Sequence, residues 1–290
     1  MSYALAIIVD GVLLGLVYAL VALGLSLVFG IMGVANVAHS AFIMLGSFLA
    51  FELFRRLGID PIATFFLALP LFFAMGAVLY GVLVSRIERA TQAQGLVAMF
   101  GLMVLIENLG VAAWSTDVRV LTTSYTNTSA VVGPLTLASV RLIAGALALL
   151  LIVAVWLFLR ATLVGRAIRA MAQDRLAALS LGMDVRRLAA VLFGLGIACA
   201  GAAGVVLAMI FPFSPNTQVQ WLAWAFLVAI LGGLRGVGGT LAAGIAVGIL
   251  QTVLAALLPF DYVYLGLYVA LATILIVRRE GLNAALRRAI

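Results

Sequence analysis

The chain has no lysine, since all 17 of its basic residues are arginine. A P-loop needs a lysine next to its glycines, and Schiff-base catalysis needs a lysine amine. This absence excludes a nucleotide-hydrolysing P-loop and a lysine nucleophile. We therefore expect no enzyme activity in this chain itself.

Cysteine and histidine occur only once each, as Cys199 and His39. One thiol cannot form an internal disulfide, and a single imidazole gives no support for a metal site. We therefore expect neither a metal nor a cofactor to be held by this chain.

Charged residues are also scarce, at 9% of the chain against 66% hydrophobic residues. A soluble protein of ordinary composition carries about 25% charged residues. Apolar runs of about 20 residues recur, which predicts an all-α, polytopic membrane protein. The arginines lie at the ends of these runs, where they can contact membrane lipid, and not among aromatic residues, so we expect no nucleic-acid binding.

The apolar runs predict a single transmembrane domain over residues 1–290 with about nine transmembrane segments. The run at 221–233 is short, so eight segments plus a re-entrant piece is the alternative. The nine runs are 5–31, 37–54, 62–85, 93–114, 136–159, 188–210, 221–233, 238–257 and 262–277.

The arginines also predict an orientation. If every run crosses the membrane, thirteen arginines fall on one side and four on the other. Because basic residues accumulate on the cytoplasmic side, the N-terminus is expected outside and the C-terminus in the cytoplasm.

Residues 160–187 form a polar and small-residue segment with six arginines between two apolar runs. We call this segment the elbow. Its apolar residues repeat at helical spacing and predict one amphipathic helix that ends near Gly182, after which Asp184 caps the next helix. The elbow is either a docking surface for a cytoplasmic protein or an interfacial helix resting on anionic lipid. The predicted stripe comprises Ile168, Met171, Ala172, Leu176, Leu179 and Met183.

Asn36, His39 and Ser40 are spaced to share one helix face at the start of the second run. They could line or gate a polar pathway. Alternatively, Asn36 is a helix N-cap and His39 a packing residue whose hydrogen bonds are satisfied. Hydrolysis by Ser40 with His39 is excluded, because neighbours at i and i+1 do not face each other on a helix.

Glu107 and Arg141 each lie about 10 Å inside the same end of adjacent predicted segments, at about 1.5 Å per residue. An unpaired charge at that depth costs about 2 to 3 kcal/mol or more, so we expect them to form an ion pair. The pair would either lock two helices together or form a charged lip.

A glycine-rich stretch follows the short run at 221–233. Without lysine it is not a phosphate loop, so its glycines either permit close helix packing or form a mobile hinge that lines a pathway. They include Gly232, Gly233 and Gly236.

Three stretches carry a resemblance to a known family. They are GLVYALVALGLSLVFGIMGVANVAHSAFIMLGSFLA at 15–50, GRAIRAMAQDRLAALSLGMDVRRLAAVLFGLGIACAGAAGV starting at Gly165, and FLVAILGGLRGVGGTLAAGIAVGIL at 226–250. Together they resemble the permease subunits of ABC importers for branched-chain amino acids and related hydrophobic or amide substrates. Where family members commonly show an aromatic residue after the asparagine and Gly-Glu after the histidine, this chain has Val37, Ser40 and Ala41.

The resemblance implies partners and a mechanism. The stretch from Gly165 to Asp184 would seat in a groove of an ATPase subunit, and two such subunits would hold ATP and Mg. A second, similar permease subunit and a periplasmic solute-binding protein would complete a bacterial inner-membrane importer that works by alternating access. The ATPase-coupling residues it implies are Gly165, Arg169, Ala172, Gln173, Asp174, Gly182 and Asp184.

The sequence leaves more than one possibility open for the solute and for the class of transporter. A branched-chain or other hydrophobic amino acid is the first expectation, and urea, short amides or small aromatic acids are the second. A self-sufficient secondary carrier or channel would need coupling-ion ligands or a filter within its own segments.

Overall fold

The computed structural model describes residues 2–87, 91–132, 135–233 and 236–259, together with a few positions between 262 and 273. The described residues form a bundle of helices, which confirms the predicted fold class. A π-helical segment, Tyr80–Val84, joins α3 to α4, and a 3-10 turn, Pro215–Thr217, precedes α10. The helices are α1 Ser2–Met32, α2 His39–Leu57, α3 Pro61–Leu79, α4 Ser85–Ile87, α5 Gln92–Trp114, α6 Ser139–Ala161, α7 Leu163–Gln173, α8 Arg175–Ser180, α9 Val185–Ile210, α10 Gln218–Gly232 and α11 Val237–Leu257.

Among the described residues, six helices are long and apolar enough to cross a membrane. The α10 helix has 15 residues, about 22 Å at 1.5 Å per residue, which is shorter than the roughly 30 Å hydrocarbon core. The ninth run, 262–277, lies largely outside the described residues. The total of nine segments, and the choice between a short and a re-entrant α10, stay predictions. The six helices are Ala4–Met32, Pro61–Ile87, Ala93–Trp114, Ser139–Ala161, Val185–Ile210 and Val237–Leu257.

Two helices form the centre of the bundle. The most apolar windows of α1 and α9 are each 83% buried inside the protein, against 17% for α5 at the periphery. The α1 helix packs against α6, α9, α10 and α11, and α9 packs against α1, α2 and α3. A helix that is apolar on all faces can be buried on every side, and the apolar windows of α1 and α9 are buried in this way.

Glycines bring the backbones of these helices into direct contact. A Cβ atom on Gly204 of α9 would lie 1.9 Å from the carbonyl oxygen of Ile43 on α2. On Gly24 of α1 it would lie 2.3 Å from the carbonyl oxygen of Gly196 on α9, and on Gly194 of α9 it would lie 2.9 Å from the carbonyl oxygen of Phe73 on α3. These small residues permit the close approach of the helix backbones.

The two ends of the bundle differ. The elbow end carries α7 and α8. The opposite end, which we call the hairpin end, carries a β-hairpin of β1, Ser129–Val132, and β2, Leu135–Ala138, paired antiparallel with Ser129 opposite Ala138. This hairpin was not predicted.

The loop before the hairpin is tied to the bundle at two points. Arg119 and Phe213 exchange backbone hydrogen bonds of 2.7 and 3.0 Å. The Tyr125 hydroxyl donates to Oδ1 of Asp60 at 3.1 Å, and that carboxylate also caps α3 by accepting from the backbone N–H of Ile62. Burial raises the pKa of Tyr125 to about 12, so the phenol stays protonated at neutral pH and remains the donor.

Candidate functional site

The first helix of the elbow, α7, is fixed closely to the end of α6. The Thr162 hydroxyl caps α7 by accepting from the backbone N–H of Gly165 at 2.9 Å. A Cβ on Gly165 would lie 2.2 Å from the carbonyl oxygen of Phe158 and 2.6 Å from the Cα of Leu159. Only glycine therefore lets the chain fold back at this angle, and Ile168 and Met171 of α7 are buried against the bundle.

The structure corrects the single amphipathic helix predicted for the elbow. Helix α7 ends at Gln173, and the Asp174 carboxylate starts α8 by accepting from the backbone N–H groups of Leu176 and Ala177 at 2.9 and 3.0 Å. Aspartate is a strong N-cap because its carboxylate satisfies the free N–H groups of a helix start. Residues on the two sides of Asp174 therefore lie on helices with separate axes, and the predicted stripe does not continue across it.

The predicted break at Gly182 and Asp184 is confirmed. Gly182 has φ of +76° and its backbone N–H donates to the carbonyl of Leu179, which closes the end of α8. Asp184 then caps α9 by accepting from the backbone N–H of Arg187 at 3.0 Å, and the two side chains form an ion pair at 2.8 Å.

Large apolar side chains of the elbow are exposed. Leu176 and Leu181 are each 76% exposed, and Leu179 and Leu163 are also exposed. Gln173 and Arg169 lie beside them on exposed positions, while Ala172 is half-buried. An apolar surface flanked by cations at one end of the bundle is typical of an interaction site.

Asn36, His39 and Ser40 are all fully buried near the elbow end, Asn36 in the connection before α2 and the other two in its first turn. The interpretation of Asn36 as an N-cap is wrong: the N-cap position is Ala38 and carries no side-chain hydrogen bond. Neither polar atom of the Asn36 amide has a partner among the described residues. Such a buried amide is costly, on the order of 1–3 kcal/mol.

His39 joins α2 to α1. Its Nε2 donates to the carbonyl oxygen of Val21 at 2.8 Å, whereas its Nδ1 is buried without a partner among the described residues, so the interpretation of a fully satisfied packing residue holds for one nitrogen only. A Cβ on Gly24 would lie 2.9 Å from Cε1 of the ring. The Ser40 hydroxyl makes only a long contact, 3.5 Å, to the carbonyl of Val37.

The end of α10 and the start of α11 pack against each other at the glycine-rich stretch. A Cβ on Gly232 would lie 2.6 Å from the carbonyl oxygen of Gly239, so the two helices cross in close contact. Gly233 has φ of +74°, and Gly236 stands at the N-cap of α11 with open space around it.

A hydroxyl pair anchors α11 to α1. The buried hydroxyl of Thr240 donates to Oγ of Ser26 at 3.1 Å. His39 and Thr240 therefore contact α1 within residues 21–26, so two polar side chains from different helices meet one short stretch of a central helix.

The predicted ion pair of Glu107 and Arg141 is wrong. Arg141 of α6 pairs with Asp10 of α1 at the hairpin end. Helix α5, which carries Glu107, packs against α2, whereas α6 packs against α1 and α9. Glu107 has no ion pair among the described residues.

Sequence reasoning also missed two polar contacts, although polar residues inside apolar runs are a signal that could have found them. One is the pair of Ser26 and Thr240. The other is the Tyr18 hydroxyl, which donates to Oε1 of Gln251 at 2.6 Å beside the stacked ring of Trp224.

Comparison with known proteins adds a family assignment. Residues 7–278 match the family described as "Branched-chain amino acid transport system / permease component". The chain is 29% identical over 296 residues to the high-affinity branched-chain amino acid transport system permease protein LivH of Escherichia coli K12, covering 97% of this chain and 95% of the relative. It is 25% identical to BraD, a permease protein of the same description in Pseudomonas aeruginosa PAO1, over 95% of this chain and 94% of the relative. No solved structure matches the chain significantly.

Proposed function

Because the chain belongs to the family of branched-chain amino acid transport system permease components, we propose that it is the membrane-spanning permease subunit of an ATP-driven importer. It would receive a hydrophobic amino acid, first of all a branched-chain one, from a periplasmic solute-binding protein. The solute would pass to the cytoplasm by alternating access.

The observation that carries this proposal is the elbow. Its leucines are exposed at one end of the bundle. Helix α7 starts at the Thr162 cap directly after α6, and α8 is joined to α9 by the short turn that ends at the Asp184 cap. A movement of a protein bound to Leu176 and Leu181 would therefore be transmitted to both membrane helices. An ATP-binding subunit is the partner that would supply such a movement, with ATP and Mg held on that subunit.

The remaining partners follow from the same proposal. A second, similar permease subunit would face this one across the pathway, and two ATP-binding subunits would contact the two elbows. The elbow end would face the cytoplasm, which places the N-terminus outside in the plasma membrane of a bacterium. Basic residues support this orientation, because the elbow end carries Arg86 and the six elbow arginines and the hairpin end carries four.

Reconstitution tests the proposal directly. Vesicles that contain this chain with its ATP-binding subunits and binding protein should accumulate radiolabelled leucine only when ATP is supplied on the side of the membrane that carries the ATP-binding subunits. Uptake by the chain alone, indifferent to ATP, would contradict it and favour a secondary carrier. Competition by valine and isoleucine, but not by urea or benzoate, would distinguish the amino acid from the amide and aromatic-acid alternatives.

The unsatisfied amide of Asn36 supports a role in a polar gate near the elbow end, together with His39 and Ser40. Burying this amide without a hydrogen-bond partner costs free energy in the arrangement seen here. Exposure of the amide to a hydrated pathway would relieve that cost. Residues 34–36 lie outside any helix, and the backbone hydrogen bonds of the connection 33–38 are short-range, such as Gly33 N–H to the carbonyl of Phe29 and Val37 N–H to the carbonyl of Ala35. Opening at this connection would therefore break few hydrogen bonds.

Asn36→Leu should therefore stabilise the protein and slow transport at the same time. We expect the thermal unfolding midpoint to rise by a few degrees, because about 1–3 kcal/mol of desolvation is removed, and ATP-dependent uptake to fall severalfold. Asn108→Leu is the control, since that amide lies on the exposed face of α5 and bonds only its own helix at Val104. An Asn36→Leu protein with a lower midpoint, or with unchanged uptake, would remove Asn36 from the gate.

A further inference from the structure

A cleft of about 640 Å³ lies between the elbow and the membrane helix that contains the π-helical segment. One wall is formed by Tyr80–Val84 and α4, and the other by α8 and the first turn of α9. The lining residues on the first wall are Tyr80, Gly81, Ser85 and Arg86, and those on the second are Arg175, Leu179, Val185 and Arg186.

The described lining of this cleft is basic. Three of its eight described lining residues are arginines, and no aspartate or glutamate is among the eight. Arg86 and Arg186 form no ion pair and no side-chain hydrogen bond with the described part of the chain, and both side chains are exposed. Guanidinium groups on opposite walls of one cleft are arranged to hold a single anionic group, and their planar forks suit phosphate oxygens.

The outer surface next to the cleft is apolar. Val78 and Val82, which are 65% and 56% exposed, lie one helical turn apart on the same face as Leu71. This exposed stripe runs along the membrane-spanning part of α3 and the π-helical segment and ends at Ser85 and Arg86. A basic cleft beside an exposed apolar stripe on the same helix matches a molecule with one anionic head and extended apolar chains.

We propose that this cleft binds the phosphate headgroup of an anionic phospholipid, whose acyl chains lie along Leu71, Val78 and Val82. Basic pockets between membrane helices at the cytoplasmic surface are suited to such headgroups, and each arginine near the anion contributes an attraction worth roughly a fivefold change in affinity. The site depends on the geometry of this chain and not on the proposed transport activity.

The position of the site gives the lipid a structural role. The headgroup would contact the π-helical segment on one side and α8 with α9 on the other, so it would join the elbow to the membrane helix that includes α3. Arg175 and Leu179 belong to the part of the elbow with the exposed leucines. The lipid would therefore hold the elbow on the side that faces α3, while the exposed side chains of Leu176 and Leu181 stay free to contact another protein.

Lipid binding by the full-length chain tests the proposal. The purified protein in a neutral detergent is titrated with phosphatidylglycerol, phosphatidylethanolamine or soluble glycerol phosphate, and bound adducts are counted by native mass spectrometry. We expect phosphatidylglycerol to bind most tightly, and the double variant R86Q/R186Q to weaken that binding on the order of twenty-fold at low salt. The matched control is R55Q/R56Q, which removes the same charge at the hairpin end and should leave the binding unchanged.

The outcomes are distinguishable. Equal binding of phosphatidylethanolamine, or an equal loss in R55Q/R56Q, would show unspecific adsorption and overturn the site. Tight binding of glycerol phosphate alone would assign the cleft to a free phosphate compound, and displacement of the lipid by added ATP-binding subunits would assign it to a protein contact. Equal thermal midpoints of the two double variants in lipid-free detergent establish that a selective loss reflects binding and not unfolding.

Discussion

Leu176→Asp should reduce ATP-dependent uptake at least tenfold while the amount of folded protein in the membrane stays unchanged. The side chain is 76% exposed, so the bundle loses no packing when it is replaced. In the proposed complex the same side chain would be buried against the ATP-binding subunit. Burying a leucine contributes roughly 1.5–3 kcal/mol, and an unpaired carboxylate in its place is penalised in addition, which together predict binding weaker by a factor of about thirty or more.

The matched control is Leu57→Asp, at a leucine that is 66% exposed and lies at the end of α2 on the hairpin end. Uptake and ATP hydrolysis are measured in the same vesicles, and association with the ATP-binding subunits is measured by co-purification. Leu57→Asp should keep both activities. If Leu176→Asp also retained full uptake and full association, the elbow leucines would not be the docking surface.

Gly46→Ala should prevent accumulation of the folded protein or lower its stability by about 3 kcal/mol or more, at the upper end of the usual cost of overpacking. The added Cβ would lie 2.0 Å from the carbonyl oxygen of Gly201 and 3.0 Å from its Cα. Both atoms belong to the backbone of α9, which is held by three other helices and cannot move aside. No flexible side chain is available to absorb the clash.

Gly101→Ala provides the control for this substitution. Gly101 lies on exposed α5, and a Cβ there would meet no atom within 4 Å. The change should be neutral or gain up to about 1 kcal/mol from helix propensity. Thermal midpoints in detergent compare the two variants. Equal midpoints would mean that α2 and α9 are farther apart in the protein than the glycine contacts indicate.

The helices were predictable because lipid imposes one requirement on every segment that crosses it. A spanning helix needs about 20 apolar residues, so the run at 136–159 had to become a helix close to α6, Ser139–Ala161. The hairpin Ser129–Ala138 was not predictable in the same way. Four-residue strands do not offer enough residues for a periodic pattern, and their pairing depends on the tertiary position of the loop.

In the candidate site, contacts between residues close in sequence could be predicted, whereas contacts between different helices could not. Gly182 and Asp184 acted as predicted because capping depends on adjacent residues. Asp174 has the same capping chemistry, but the apolar periodicity across it favoured one continuous helix. Depth in the membrane could be estimated for Arg141 from the sequence, but only helix packing decides that it meets Asp10 of α1 and not Glu107 of α5.

The glycine contacts of α9 have a mechanical consequence. A side chain at a helix interface can change rotamer and pack in a second way, but a backbone pressed on a backbone has no second arrangement. Such a contact is either kept or broken. Helices α1, α2, α3 and α9 are joined by these contacts, and α11 is joined to α1 in the same way at Gly15 and Gly248. These five helices therefore form one closely packed block. In the proposed importer, an alternation between outward and inward access would tilt the block as a unit against its counterpart, with rearrangement inside it confined to the gate around Asn36.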